Sequence, residues 1–350
     1  MTKVEYRILV VAPDQLLTRS GGLRTQVQRT CQEMEKLGVS VTYFNPWEIY
    51  DFNQYDLVHI FSMNAPNFYK SEIFNHKLPI VFSSVMWREG NRNLIKFIVN
   101  FILKLPIQLI NDTVSCKIMS NFANVILPNT KAELNWLNDC VDVNVDKCVV
   151  VPNGADNFFE NYTDEFLIKN SSIKIDKDFV FCCSVISQRK NLIRLAKACI
   201  NINIPLVIAG PVVDSYIYDQ LLELSKRSNL ELIFLGHLAP DSYEMGYLLR
   251  FNKVFCLPSF YETPGIAALE AGLQGSNIVI TNVGGTEEYF GDMALYIDPY
   301  SSTDIENKIR AALKRNWTEK DRVNIKRHIE KNFSWKMVAN KTIMAYEKIK

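Results

Sequence analysis

The chain has 350 residues, 48% hydrophobic and 22% charged, with 39 Lys and Arg against 38 Asp and Glu for a net charge of +1. That length holds roughly two domains of about 100–200 residues, each able to bury a core without staples. The balanced charge leaves no surplus of cations for nonspecific phosphate neutralisation, so no nucleic-acid partner is expected.

The eight cysteines form no CxxC pair and no Cys/His spacing that would surround zinc, and read as small apolar residues of a reducing compartment. The first apolar run, 8–12, is too short for a signal-peptide core, and a cytoplasmic protein is expected.

Short β-branched runs alternate with helical stretches from end to end, the pattern of parallel sheets covered by helices. In the first half, strands are expected at 7–12, 39–44, 57–61, 80–84, 125–127 and 148–151. Leu23, Val27, Thr30, Met34 and Leu37 recur at helical spacing between the first two, and Gly38 stops that helix. Ser20-Gly21-Gly22 then forms a loop at the mouth of the first strand. His59 lies near the end of the strand 57–61, where it either faces a cleft or is a hydrogen-bonded core histidine. The apolar run 94–110 is interrupted by Lys96, Lys104 and Pro106 and preceded by Arg88 and Arg92. It is a poor membrane span. A basic apolar helix can lie in a membrane interface, and helices packed on a sheet are also apolar, so peripheral membrane contact through 88–110 stands beside a purely structural role.

Asn153-Gly154-Ala155-Asp156 and a polar stretch, 160–178, separate this half from a second series of strands at 179–185, 206–209, 230–235, 254–257 and 278–281. The expected organisation is therefore a first Rossmann-like domain, 1–165, and a second, 166–333, with a closing helix, 334–350, returning to the first. In open α/β sheets ligands bind beyond the carboxyl ends of the strands, so two such domains facing one another would line a cleft with their loops.

The richest stretch is 258–272, PSFYETPGIAALEAG. After the strand 254–257, Thr263 is the expected N-cap and Pro264 the first helical residue, and Gly265 leaves the helix start open to an anion. Glu262 precedes this helix. Glu270 lies inside it, about two turns on, among Ala267, Ala268, Leu269 and Ala271, where a carboxylate is out of place. Glu262 is placed for hydroxyls of a ligand and Glu270 for a vicinal diol such as a ribose, the bland alternatives being a loop charge and a solvated helix residue. Arg189 and Lys190, after the first strand of the second half, are candidates to meet a phosphate, or else are solvated loop charges. Asp176-Lys177-Asp178 is literally a DxD, but it precedes a strand in a polar linker and reads as a turn. His237, in the loop after 230–235, reads as local structure near a nucleobase rather than as a general base.

Together these pieces resemble the retaining glycosyltransferases of family 4, whose fold is GT-B, with two Rossmann-like domains facing across a cleft. Glu262 and Glu270 match the family's Glu-x7-Glu motif. The segments GGLRTQVQRTCQEMEKLGVSVTYF, VVPNGADNFF, CSVISQRKNLIRLAKAC, LVIAGP, LIFLGHLAPDSY and 254–299 follow in the family's order, and Phe333-Ser334-Trp335 looks like the opening of its closing helix.

The resemblance implies that Lys190, with Arg189, binds the donor diphosphate, that Glu270 holds the ribose and that Glu262 contacts donor-sugar hydroxyls. It implies too that backbone N–H groups around Pro264, Gly265 and Ile266 bind the distal phosphate, with Gly21 and Gly22 closing from the other domain. Gly284, Gly285 and Glu288 match a Gly-Gly-x-x-Glu loop. Two positions depart from the pattern. Val85 or a neighbour stands where many relatives have a cleft His, and Ser184-Val185 replaces the Gly-Arg that usually opens the basic loop.

The implied reaction is same-face transfer of a hexosyl-type sugar from a nucleotide sugar to a glycan or lipid-linked acceptor, in surface polysaccharide or glycolipid biosynthesis. No metal and no other cofactor are expected, because cations and a helix start would carry the diphosphate charge. A sugar-nucleotide epimerase of the same architecture and a noncatalytic sugar-nucleotide-binding subunit remain the competing readings.

Overall fold

The structure, a computed structural model, describes residues 6–13, 16, 21–63, 77–105, 111–228, 230–263 and 265–349. The chain divides into two compact units, Met1–Gly154 with Trp335–Lys350, and Ala155–Ser334. The division expected at 165/166 thus falls at 154/155. Packing moves it: the polar stretch after 160 contains the helix Asp164–Asn170, capped by Thr163, whose Leu167 is wholly buried in the second core. The two crossings lie side by side, with the Ala155 amide donating to the Phe333 carbonyl at 2.9 Å. The closing helix, Trp335–Tyr346, packs on the helix Gly22–Lys36 within the first unit.

In the first unit, β1 (Arg7–Val11), β2 (Ser40–Tyr43), β3 (Leu57–Phe61), β4 (Ile80–Ser83) and β5 (Val125–Ile126) form a parallel sheet in the order β2-β1-β3-β4-β5. β3 and β4 are buried throughout, as near-continuous apolar strands of a sheet covered on both faces must be, while the edge strand β2 is half-exposed. The strand expected at 148–151 is reduced to one bridge, Ile126 with Cys148. β5 is short because the chain turns at Asn129 and Thr130 into the helix Lys131–Val141, leaving little to pair with.

In the second unit, β6 (Val180–Cys183), β7 (Leu206–Ala209), β8 (Leu232–Phe234), β9 (Val254–Leu257), β10 (Ile278–Thr281) and β11 (Ala294–Ile297) run parallel in the order β11-β10-β9-β6-β7-β8. This is the Rossmann order. The chain winds outward from β6 to β8, returns to lay β9 on the other side of β6, and winds outward again. Its order therefore reverses between β6 and β9, which places a crevice at their carboxyl ends. β11, a four-residue edge strand half-exposed at Leu295 and Tyr296, lies outside the sequence expectations.

Candidate functional site

The turn after β6 and the turn after β9 meet at that reversal point. Ser187 opens a single 3-10 turn, Gln188–Lys190, which ends at Asn191 in the left-handed conformation (φ 57°). Asn tolerates that region better than most residues because its short side chain can bond locally. Here the buried Asn191 side-chain amide donates to the carbonyls of Pro258 (2.9 Å) and Pro299 (2.8 Å), while its oxygen accepts from Arg194 at 2.9 Å. Carbonyls only accept, so the network itself fixes the orientation of the amide. Asn191 thus ties the basic turn to the ends of β9 and β11. Sequence reasoning missed this role because both partner carbonyls are remote in the chain.

So fixed, Lys190 donates to Glu262 Oε1 at 2.5 Å, and Arg189 lies 3.6 Å from the same oxygen. Ser259 adds a 2.6 Å hydrogen bond to it. Arg189 also donates to the Tyr261 carbonyl at 2.9 Å and lies over the Tyr261 ring, 5.1 Å from its centroid. Glu262 and Lys190 side chains are 8% and 12% exposed, so the pair is largely withdrawn from water, whereas Arg189 at 39% is open to it. Burial pushes the Glu262 carboxyl up. The charges of Lys190 and Arg189, with the Lys190 and Ser259 hydrogen bonds, outweigh burial and hold it below the usual value. The result is a buried carboxylate locked to two cations at the crevice.

The turn after β10 supports Glu262 from below. The Glu262 amide donates to the Val283 carbonyl at 3.0 Å, and Gly284 (φ 109°) packs against the Glu262 main chain. Gly285 (φ 112°) follows, and the Glu288 amide bonds its carbonyl at 3.1 Å, with the Glu288 side chain exposed.

The helix carrying Glu270 runs Ile266–Leu273 and its N-cap is Gly265, with φ 71° and no side-chain cap. This corrects the expectation of Thr263 as N-cap and Pro264 as first helical residue. A Cβ at Gly265 would lie 3.2 Å from Leu257 Cδ1 and 3.4 Å from Ile280 Cδ1, so glycine suits both the conformation and the space. Pro264 lies outside the described residues. Ile266 opens the helix at partial exposure. Half-buried Glu270 reaches the end of β6: the Cys183 thiol there is pushed well up, by burial first and then by the Glu270 charge, with Lys190 opposing.

Gly21 and Gly22 belong to the first unit, where exposed Gly21 is the N-cap of the helix Gly22–Lys36. His59 is fully buried. Its ring nitrogens lie 2.8 Å from the Tyr346 hydroxyl and 2.9 Å from Ser83 Oγ, and burial lowers its pKa to about 3. It is a core histidine. Val85, where a cleft histidine was sought, has φ 43°, unusual for a β-branched residue. The buried Glu133 carboxylate clamps both its neighbours, accepting from Ser84 Oγ (2.5 Å) and the Met86 amide (2.8 Å). His237 is exposed. Asp176 and Asp178 precede β6, at the amino ends of the strands, where Asp178 pairs with Lys253 and Lys177 with Glu231, away from the crevice at the carboxyl ends. Among the described residues no three His, Cys, Asp or Glu side chains gather as a metal site would.

Residues 163–332 match the family described as glycosyl transferases group 1, so the second unit carries a group 1 glycosyltransferase domain. O-antigen chain mannosyltransferase B of Escherichia coli is 32% identical over 148 residues, 41% of this chain and 37% of that protein. The chain thus matches little more than a third of that relative's length. Among solved structures, sucrose-phosphate synthase from Thermosynechococcus elongatus aligns with a TM-score of 0.77 at 14% identity, over 98% of this chain and 99% of that one. Anabaena HepE in complex with UDP and glucose aligns with a TM-score of 0.75 at 16% identity, over 98% and 99%. At such identities the likeness is one of fold, and that fold is GT-B.

Proposed function

We propose that the chain is a retaining glycosyltransferase of family 4, transferring a hexosyl-type sugar from a nucleotide sugar to a glycan or lipid-linked acceptor in surface polysaccharide or glycolipid assembly. The observation that carries this reading is the convergence of Arg189, Lys190 and Glu262 at the β6/β9 reversal point of a group 1 domain. The nucleotide ligands named for HepE and the O-antigen relative support it from outside the chain.

Lys190 carries three donors, of which Glu262 takes one, and the others are available to phosphate oxygens. Arg189, more exposed, supplies a second cation, and charge-assisted bonds of this kind contribute about 1.5–3 kcal/mol each. Backbone N–H groups at Gly265 and Ile266 add the helix start as a phosphate site, with Gly285 and Glu288 completing the donor pocket from the β10 turn. Glu270 accepts the ribose hydroxyls and Glu262 the hydroxyls of the donor sugar. As the glycosidic bond breaks, negative charge grows on the leaving diphosphate and these fixed cations stabilise it, with its oxygen taking the acceptor proton on the same face. No metal is called for in this reading.

Thermal stability with UDP, GDP, ADP and CMP, with and without EDTA, beside Glu270→Ala tests it. A ligand at about 100 times its Kd stabilises by ~2.7 kcal/mol, a shift of several degrees. The expected result is a shift with one nucleotide that survives EDTA and disappears in the variant, and release of that nucleotide from its sugar conjugate when acceptor is supplied. No shift with any nucleotide, or an isomerised nucleotide sugar as product, would overturn the assignment.

A further inference from the structure

One carboxylate holds together turns at the carboxyl ends of the first sheet. Glu133, wholly buried in the helix Lys131–Val141, accepts the Ser84 hydroxyl (2.5 Å) and the Met86 amide (2.8 Å) through Oε1 and the Asn129 amide (2.9 Å) through Oε2. It thereby joins the turn after β4 to the turn after β5. Gln26 of the helix Gly22–Lys36 donates to Asn129 Oδ1 at 3.0 Å and brings in the element that follows β1. Burial raises the Glu133 carboxyl, and the bonds from Ser84, Met86 and Asn129 oppose it. Its helix is itself anchored, Asp139 and Asp142 pairing with Arg92 (2.6 Å) and Lys96 (2.7 Å) of the helix Arg92–Ile102. Of the stretch 88–110 that contains those cations, 106–110 lie outside the described residues.

Both bonds to the β4 turn fall on the neighbours of Val85, which has φ 43°. It is the one β-branched residue in the left-handed region among the described residues, a conformation such a side chain takes only against a steric cost. Ser84 and Met86 are buried while Val85 is half-buried, so the clamp brings one apolar side chain to the surface between two that it hides. The adjacent strand β3 ends in the same way: Ser62 has φ 66°, and its amide donates to the Ser83 carbonyl at 2.8 Å. β3 also borders the point where this sheet reverses, since the chain passes from β2 on one side of β1 to β3 on the other. Strain of this kind persists only where the surroundings over-determine it, and it gathers at ligand sites.

We propose that Glu133 is a positioning residue of sugar transfer, holding Val85 in its left-handed turn as an apolar wall against the C–H face of the acceptor's sugar ring. This rests on the glycosyltransferase reading above. Arg189, Lys190, Glu262 and Glu270, assigned there to the donor, all belong to the second unit, which leaves the carboxyl ends of the first sheet for the other substrate. Glu133 itself touches no substrate, because it is enclosed and both of its oxygens are taken.

Kinetics of the full chain test this, with UDP-glucose and GDP-mannose as donors and octyl glucoside, octyl mannoside and octyl galactoside as acceptor probes. Val85→Gly should melt no lower than the wild type and up to roughly 2–4 °C higher, since glycine removes the strain. Its kcat/KM for the acceptor should nevertheless fall by about tenfold or more, through a raised acceptor KM. Glu133→Gln keeps the shape but sets an amide against the donors of Ser84, Met86 and Asn129, so it should melt lower and lose acceptor kcat/KM to a similar extent. In both variants the melting shift produced by UDP or GDP should stay as in the wild type, a split that general loss of structure would not give. The double variant should transfer no worse than Glu133→Gln alone, because the two residues act through one turn. Should Glu133→Gln fail to fold, Val85→Gly alone decides. A Val85→Gly protein that melts lower than the wild type, or that keeps wild-type acceptor kinetics, would overturn the proposal. A wild type that shifts with nucleotide yet transfers to none of these probes would overturn the sugar-ring wall, whereas one that shifts with no nucleotide would overturn the transferase reading beneath it.

Discussion

A Cβ on Gly284 would lie 2.1 Å from the carbonyl oxygen of Glu262 and 2.8 Å from its carbonyl carbon, closer than any side chain can approach. The turn after β10 thus sets the height of the Glu262 backbone. Gly284→Ala adds that clash to a φ of 109°, a region costly for residues with a Cβ. It should destabilise the second unit by about 2–5 kcal/mol and weaken nucleotide binding. Calorimetry, and titration with whichever nucleotide the thermal-shift test selects, would check this; a variant with unchanged melting and affinity would show that the contact is dispensable.

Glu262→Gln leaves Lys190 buried beside a neutral amide, and losing one partner of a buried pair costs about 3–5 kcal/mol. The effect depends on pH. The folded carboxyl sits below its ordinary value of 4.5, so its contribution is full above that value and is lost as pH falls through the folded value. The stability gap between wild type and variant should therefore be widest near neutrality and narrow below about pH 4.5. A gap independent of pH would mean that the pair is not ionised as described.

Much of this site is legible in sequence because its signals are local. Glu262 and Glu270 lie eight positions apart on one turn and helix, and the strands that present them are short apolar runs between turn residues. What escapes depends on distant partners. The helix cap passes from Thr263 to Gly265 because Leu257 and Ile280 crowd the turn from two strands. Asn191 reads as an ordinary loop residue until the fold brings Pro258 and Pro299, 67 and 108 positions away, to its amide. His59 is undecided in sequence because its fate rests on Tyr346, 287 positions later.

Asn191 separates two contributions that usually travel together. Asn191→Gly keeps the left-handed conformation and removes the amide, orphaning two buried carbonyls at about 1–3 kcal/mol each. Asn191→Ala loses the same bonds and adds the left-handed penalty, about 1–2 kcal/mol. Alanine should therefore be the less stable of the two, with both weakening nucleotide binding because Lys190 is the preceding residue. Denaturant melts of the pair measure the difference; equal stability would mean that the turn relaxes out of its left-handed geometry.

His59 gives the first unit its own acid sensitivity. The Tyr346 hydroxyl donates to Met34 Sδ (3.5 Å), so it accepts from His59 Nδ1–H, and Nε2 accepts the Ser83 hydroxyl: a neutral ring fully satisfied. Its folded pKa of about 3 lies below the ordinary 6.5, so between those values the unfolded chain binds a proton that the folded chain refuses. Stability from this group is complete above pH 6.5 and falls as pH drops toward 3, with a slope of at most about 1.4 kcal/mol per pH unit. Between 4.5 and 6.5 this slope is distinct from that of Glu262, which acts lower. His59→Gln should cost stability at neutral pH, since glutamine cannot fill both hydrogen bonds in the same geometry, and should flatten the pH dependence in that window. If urea melts at pH 7.0 and 5.0 show the same loss in wild type and variant, the histidine is not held neutral and its tie to the closing helix is looser than the geometry indicates.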